Sequence, residues 1–265
     1  MKNLQHWCED EVTQTLVKKK YAAEDENTFE DVVIRVASIY SNSIREKVRK
    51  NMLEGNLTPA GRTLAGAGVE NQNLTISNCY ILGNVEDDSL EAISKIDYEV
   101  SRIGSMGGGV GLALDKIRPK GSKINNAAKV SEGVAFVLRK INQTGKIVGQ
   151  AGRGLAIMTA LRDSHPDIYE ILNLKNNDED LRSMNISIKF TDEFMKAVEE
   201  DGEYTLYADT PNEHIEKKIK ARDFFQKFCE TQYDWADPSA LFIDKINSYH
   251  LLSGYPEYKI EVSNP

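Results

Sequence analysis

The sequence predicts an α/β protein, a helical region over residues 1–70 followed by strands and helices in alternation over 71–265. Three observations carry this. Apolar residues between Phe29 and Met52 recur at helical spacing. Beyond residue 70, apolar runs of strand and helix period take turns. The connections between them are short. That alternation marks βαβ units and a largely parallel sheet or barrel.

Taken in order, "TFEDVVIRVASIYSNSI" opens on a capping box of Thr28 and Asp31. Phe29, Val32, Val33, Val36, Ala37 and Tyr40 share one helical face, which Ile44, Val48 and Met52 continue until Gly55 stops it. "TISNCYIL" predicts a strand with Cys79 in its middle. Asp88 and Ser89 suit the cap of a helix carrying Leu90, Ile93, Ile96, Val100 and Ile103, which glycines end. "VGLAL" predicts a strand, "EGVAFVLRKI" a helix and "LAIMTAL" a buried strand. "PDIYEILNL" predicts a helix with Pro166 at its first position and Ser164 or His165 as cap. "NISIKF" reads as strand, "DEFMKAV" as helix, "YTLYA" as strand and "ARDFFQKFCETQYDWA" as helix. No repeat or low-complexity tract interrupts the series.

Composition narrows the function. With 40% hydrophobic and 28% charged residues the chain is that of an ordinary globular protein. Its formal net charge of -8 disfavours binding of polymeric nucleic acid, which needs a basic face, but leaves single nucleotides open. No apolar run approaches the roughly 20 residues that span a membrane, and "MKNLQHWCED" lacks the apolar core of a signal peptide. Cys8, Cys79 and Cys229 are far apart and odd in number, which points to a reducing cytoplasm. The four histidines show no ligand spacing to each other or to the cysteines, so no metal site is expected.

Three stretches invite a chemical reading. In "GSMGGGVGLAL", Gly107, Gly108 and Gly109 follow a helix and precede a strand, the reverse of a dinucleotide fingerprint. A helix end and tight turn use one or two glycines; three also allow a ligand close to the backbone. "GKIVGQAGRGLA" is a glycine-rich loop with one cation, Arg153, and lacks the ending of a P-loop. Cys79, read alone, is a small buried apolar residue or a functional thiol. Cys8 and Cys229 lie in helical patterns.

In their order, "LTPAGRTLAGAG", "SNCYIL", "DSLEAI", "GGGVGLALDKIRPKG", "GQAGRG", "HPDIYEIL", "NISIKFTDEFMKAVEEDGEY", "DPSALFIDKIN" and "EVSNP" resemble the large, catalytic subunit of ribonucleotide reductases. The resemblance runs over residues 10–265. It is greatest to the adenosylcobalamin-dependent class, with the aerobic two-subunit class next. It implies that a helical N-terminal region precedes the first half of a ten-stranded α/β barrel. In that family Asn-Pro is followed by the cysteine that carries the thiyl radical, in an "NPCGE" loop. The expectation is therefore an N-terminal part ending just before that cysteine, from a split or intein-interrupted enzyme. A complementary C-terminal half would bring the radical cysteine, a catalytic glutamate, the second redox cysteine and the phosphate-binding helix ends.

The same resemblance implies the reaction, ribonucleotide to deoxyribonucleotide for DNA synthesis, and the residues. Cys79 would be one of the redox pair, with its partner in the other half, and Asn264 would bond the ribose hydroxyls. Thr63, Asn78 and Gly109 would contact substrate. Asp88, Ser89, Leu90 and Arg118 would hold a dNTP effector, and Gln150 and Arg153 would carry its signal to the substrate base. Asn125 stands where some relatives have arginine. The radical would come from adenosylcobalamin or, alternatively, from a di-metal partner subunit. Further partners are a second copy of the assembled enzyme and a thiol-redox protein. The N-terminal region is too short for an ATP-cone domain, so no overall on/off control by ATP and dATP is expected. The competing readings are a non-catalytic nucleotide-binding regulatory fragment and an α/β domain whose glycines serve packing alone.

Overall fold

A computed structural model describes residues 8, 10–70, 73–148, 155–177, 181 and 184–264. The chain divides into two compact units, one of residues 1–78 with 106–108, the other of residues 79–105 with 109–265.

The first unit is helical: α1 (Glu11–Lys20), α2 (Phe29–Ser38), α3 (Asn42–Leu53) and α4 (Gly61–Gly66). Its core joins Val17, Phe29, Val32, Val33, Val36, Met52, Leu64 and Ala67. The Thr28–Asp31 capping box forms as predicted. The single helix expected through Met52 is instead two. α2 ends at Ser38, whose hydroxyl donates to the Arg35 carbonyl at 2.6 Å. Arg45 then donates to the carbonyls of Ser38 and Tyr40 at 3.0 and 3.1 Å, capping the broken end. Ser, Asn and Ser at 41–43 favour such breaks, because their side chains compete with the helix backbone. Arg35 stitches the unit together. Its guanidinium pairs with Glu26 and donates to the carbonyls of Tyr21, Leu64 and Ala67. Positive charge at the ends of α1 and α4 suits the helix dipoles.

The second unit holds β1 (Cys79–Asn84), α5 (Leu90–Ser105), β2 (Gly109–Ala113), α6 (Gly133–Ile147), β3 (Ile157–Arg162), α7 (Ile168–Asn177), β4 (Asn185–Phe190), α8 (Asp192–Glu199), β5 (Glu203–Asp209), β6 (His214–Lys220), α9 (Ala221–Trp235), β7 (Ser239–Phe242) and α10 (Ile243–Ser248). Five strands form a parallel sheet in the order β1-β2-β3-β4-β7. The fold is thus mixed α/β with a parallel sheet. β5 and β6 stand apart as an antiparallel hairpin, so "YTLYA" is a strand but not of the main sheet. β6, "HIEKKIK", went unpredicted because its one buried residue is Ile219. No described helix is long and apolar enough to cross a membrane.

Alternation of side chains sorts the sheet into two faces. Val110, Leu112, Ile157, Leu161, Ile186, Ile188 and Phe190 join the core beneath the helices, with Ile93, Val100, Leu138, Ile171, Phe194, Phe224 and Phe228. Leu90, expected on that face of α5, is 62% exposed. The other face carries Gly109, Gly111 and Ala113 on β2, and Ala160 beside Ala113 on β3. Across this second face lies the C-terminal segment, with Val262 buried against Ala113 and Ala160.

Local order in the second unit differs from expectation around residue 165. α7 begins at Ile168, two residues after Pro166, and the Asp167 carbonyl accepts from Ile171 N–H. Asp167 therefore occupies the cap position, not Ser164 or His165. His165 is fully buried. Its Nε2 bonds the Ile117 carbonyl at 2.8 Å and its Nδ1 accepts from Asp167 N–H at 3.0 Å. Burial pushes its pKa below the ordinary imidazole value. The Asp167 carboxylate in turn accepts from the backbone N–H groups of Lys120 and Val134. His165 and Asp167 thus brace the loop after β2 against α6 and α7.

Candidate functional site

β1 starts at Cys79, which is exposed, rather than running through it as the apolar pattern suggested. Its register sets Cys79 opposite Gly109 and Ile81 opposite Gly111. Cys79 therefore belongs to the face made of glycine and alanine, not to the face under the helices. A Cβ placed at Gly111 would lie 2.1 Å from the Ser263 carbonyl oxygen and 3.1 Å from Asn264 Cα. Only glycine lets the chain at 263–264 come so close to β2. The geometry brings together Cys79, Gly109 and Asn264: a thiol at the head of β1, bare backbone beside it, and an exposed amide held two residues further along β2. Such a site offers a redox-capable sulfur and hydrogen-bonding groups along a surface on which a planar or sugar-like ligand can rest.

Thr63 lies on α4 in the first unit, half-buried; Asn78 closes that unit, exposed, one residue before Cys79. Gln150 and Arg153 lie outside the described residues. Cys229 is exposed on α9, a helix whose Phe224 and Phe228 pack on the opposite side of the sheet from Cys79. The two sulfurs cannot meet across the sheet.

On the same face, at the C-terminal ends of the strands, lies a charged cluster that was not foreseen. Asp115 pairs with Lys189, which is 5% exposed. It also accepts from Arg162 N–H at 2.8 Å and from Asn84 Nδ2 at 3.0 Å. One carboxylate thereby ties the ends of β1, β3 and β4 to the segment following β2. Glu261 reaches the same end, accepting from Asn84 N–H at 3.2 Å. Gly111 was also missed as a site residue. The signal lay in its place two residues after Gly109, on the same face of a strand.

A second cluster surrounds the start of α5. Ser89 caps the helix, its Oγ accepting from Ala92 N–H at 3.0 Å and its own N–H donating to Asp87. The Ser89 bonds hold the Asp87 carboxyl below the usual carboxylate range. Asp88, the other expected cap, instead pairs with Arg118, and both are largely shielded from solvent. Arg118 also donates to the Lys123 carbonyl at 2.8 Å. Leu90 projects outward beside them. Asp88, Ser89, Leu90 and Arg118 thus gather at one helix N-terminus. An arginine beside a helix N-terminus suits a phosphate, while an exposed leucine suits the flat part of a ligand. Among the described residues, no group of three or more His, Cys, Asp or Glu side chains is placed to hold a metal ion.

The family model of the ribonucleotide reductase barrel domain matches residues 77–265, a span that contains the whole five-stranded sheet. A vitamin B12-dependent ribonucleoside-diphosphate reductase of Thermoplasma acidophilum is 29% identical over 252 residues, covering 92% of this chain and 32% of that protein. A ribonucleoside-diphosphate reductase large subunit of variola virus is 31% identical over 219 residues, covering 72% of this chain and 28% of its own length. A ribonucleoside-diphosphate reductase large chain of Neurospora crassa is 28% identical over 246 residues, covering 82% and 26%. The chain spans at most about a third of the length of these relatives. With most of its residues matched by that family model, the chain belongs to the ribonucleotide reductase barrel-domain family.

Proposed function

We propose that the chain is the N-terminal part of a ribonucleotide reductase catalytic subunit, working in the cytoplasm with a complementary C-terminal part. The observation that carries this reading is the sheet face on which Cys79 stands opposite Gly109 while Asn264 is pressed onto Gly111. The five parallel strands are proposed as the first half of a ten-stranded barrel, with residues 1–70 as the helical region before it and 71–265 as the barrel part. An open sheet with exposed residues on its inner face is a surface suited to closure by further strands.

Replacing a ribose 2′-hydroxyl by hydrogen consumes two electrons and two protons and releases water. Two thiols supply both and end as a disulfide. Cys79 is proposed as one of them. By the family resemblance its partner thiol is proposed to belong to the complementary part, a reading in keeping with the place of Cys229 on the far side of the sheet. Asn264 orients the ribose hydroxyls, and Thr63, Asn78 and Gly109 line the substrate. Asp88, Ser89, Leu90 and Arg118 hold a dNTP effector, and Gln150 and Arg153 relay its identity to the base being reduced.

The relatives' names divide between B12-dependent reductases and others, so the proposed radical source is adenosylcobalamin, or alternatively a radical from a di-metal partner subunit. Among the described residues no cluster of His, Cys, Asp or Glu could hold a metal ion, and the roles given to this chain's residues are substrate and effector binding and the supply of one of the two thiols. A second copy of the assembled enzyme and a thiol-redox protein complete the proposed partners.

The test is Cys79→Ser against Cys229→Ser in the assembled reductase. Serine fills nearly the same volume but forms no disulfide. Cys79→Ser is expected to abolish turnover supported by thiol recycling while dNTP binding persists; Cys229→Ser is expected to leave turnover near the parent value. Equal losses in the two variants, or none in Cys79→Ser, would sink the redox assignment.

A further inference from the structure

The loop that follows Arg118 folds back on itself as a narrow ladder. Gly121 N–H donates to the Ser131 carbonyl, Ser131 N–H to Ser122, and Ile124 N–H to Lys129. Lys123 faces Val130 across this ladder as a bridge. The bonds on either side of that bridge belong to residues 122 and 124, so the N–H and carbonyl of Lys123 itself point outward. Outward-pointing peptide groups need a partner.

The partner is the tip of the β5–β6 hairpin, some ninety residues on in sequence. Glu213 Oε1 accepts from Lys123 N–H at 2.7 Å. Asn212 Nδ2 donates to the Lys123 carbonyl at 2.7 Å, and its Oδ1 accepts from Asn125 Nδ2 at 3.4 Å. The backbone of one residue is thus gripped on both sides, through its N–H and its carbonyl. The Lys123 carbonyl is also the acceptor for Arg118. The grip therefore reaches the guanidinium that pairs with Asp88 through a single shared oxygen.

The tip is built to hold this geometry. Thr210 Oγ1 donates to the Glu213 carbonyl at 2.9 Å and accepts from the N–H groups of Asn212 and Glu213. Thr210 N–H donates to the same Glu213 carbonyl. Further down, Tyr207 N–H donates to the Ser164 carbonyl, and Arg162 donates to the Tyr207 carbonyl at 2.6 Å and lies over its ring. The hairpin is therefore fastened to the end of β3 at its middle and presents a rigid turn at its tip.

We infer that Asn212 and Glu213 are positioning residues for the proposed effector site: by clamping the Lys123 backbone through its N–H and carbonyl they fix the loop that orients Arg118. The inference rests on the reading of Asp88, Ser89, Leu90 and Arg118 as that site. It gives the hairpin, an appendage to the parallel sheet, a task in nucleotide regulation.

The experiment measures equilibrium binding of dTTP to the assembled reductase in five variants. Glu213→Ala removes an ionised acceptor, and its dTTP affinity is expected to fall about ten-fold, the size of one hydrogen bond to a charged group. Asn212→Asp removes the donor and sets a carboxylate against the Lys123 carbonyl, and is expected to lose at least as much. Glu213→Gln keeps an acceptor oxygen at the same reach and is expected to bind within about three-fold of the parent. Asp88→Ala and Arg118→Ala lose binding directly. If these last two lose dTTP while Glu213→Ala and Asn212→Asp hold it at parent affinity, the hairpin inference is overturned and the site reading stands. If Asp88→Ala and Arg118→Ala bind dTTP as the parent does, the site reading falls and takes the inference with it. Glu213→Gln as weak as Glu213→Ala would also overturn it, because restoring the acceptor would then restore nothing.

Discussion

The two faces of the parallel sheet are made by the same strands and do opposite work. On one, Val110, Leu112, Leu161, Ile188 and Phe190 are buried under helices. On the other, β2 carries Gly109, Gly111 and Ala113, and Ala160 and Ser187 stand between the larger Met158 and Lys189, with Cys79 at the edge. Gly109 and Val110, Gly111 and Leu112, Ala160 and Leu161, and Ser187 and Ile188 thus differ, one residue apart, by most of a branched side chain. The large face removes apolar area from water and supplies stability. The small face leaves room, and the room is filled by the segment carrying Val262 and Asn264. Smallness on one face is affordable only because the other face is so well filled.

The sharpest way to break this division is to hollow the large face. Phe190 is 1% exposed and its ring sits 5.1 Å from that of Phe194 and 4.9 Å from that of Phe228. Phe190→Ala is expected to cost about 3–5 kcal/mol, through lost transfer energy and the cavity left behind. Chemical denaturation of the assembled enzyme, parent against variant, measures it. A cost under about 1 kcal/mol would mean that the aromatic cluster is not what holds the sheet to its helices.

The small face is tested by filling it. Gly111→Ala puts a methyl 2.1 Å from the Ser263 carbonyl, a backbone atom that cannot rotate away. The segment at 263–264 must shift, at an overpacking cost of about 1–3 kcal/mol. Because Asn264 moves with it, turnover is expected to fall by more than ten-fold while the melting temperature changes less than in Phe190→Ala. Turnover at the parent rate in Gly111→Ala would show that this close approach is not needed for the reaction, and would remove the small face from the proposed site.

How much of this was legible follows from how each region is built. The buried helices announced themselves. The face from Phe29 to Ala37 and the Thr28–Asp31 box are local patterns, and the structure reproduces both. So is "NISIKF", which is β4 to the residue. The hairpin strand β6 was hidden because an exposed edge strand of Lys, Glu and His shows almost no apolar alternation. β7 is four residues long, too short for any periodicity. The break after Ser38 depends on Arg45 reaching back to two carbonyls, which no window of hydrophobicity registers. At the site, Cys79 and Gly109 were visible as unusual residues in unusual places. Their pairing was not, since register between strands is set by contacts thirty residues apart in sequence. The Asp115–Lys189 pair and the grip of Glu213 on Lys123 are invisible for the same reason, being tertiary and made by common residue types.

The smallest expected effect concerns the hairpin, which belongs to neither face. His214 opens β6 at the tip, with Nδ1 2.6 Å from Asp209 and Nε2 3.0 Å from Glu216. The hydrogen bond to Glu216, followed by that to Asp209, raises its pKa above the ordinary value of 6.5. A raised folded-state pKa means that the protonated form is favoured by folding. The stabilisation is fully present below pH 6.5 and is lost as pH rises through the folded-state pKa. His214→Gln keeps hydrogen-bonding capacity but never carries the charge. The parent is thus expected to resist local opening of the hairpin better than His214→Gln at pH 6, with the difference shrinking as the pH is raised. Amide hydrogen exchange at 205–219, measured against pH and corrected for the intrinsic rate, reads this directly. The group is exposed, so the gap is expected to be small and to narrow further in high salt. A difference that grows with pH would reverse the sign and show that the imidazole acts as a neutral donor to one of the two carboxylates instead. Phe190 and Gly111 should not share this pH dependence, which separates the hairpin's electrostatics from the packing of the two sheet faces.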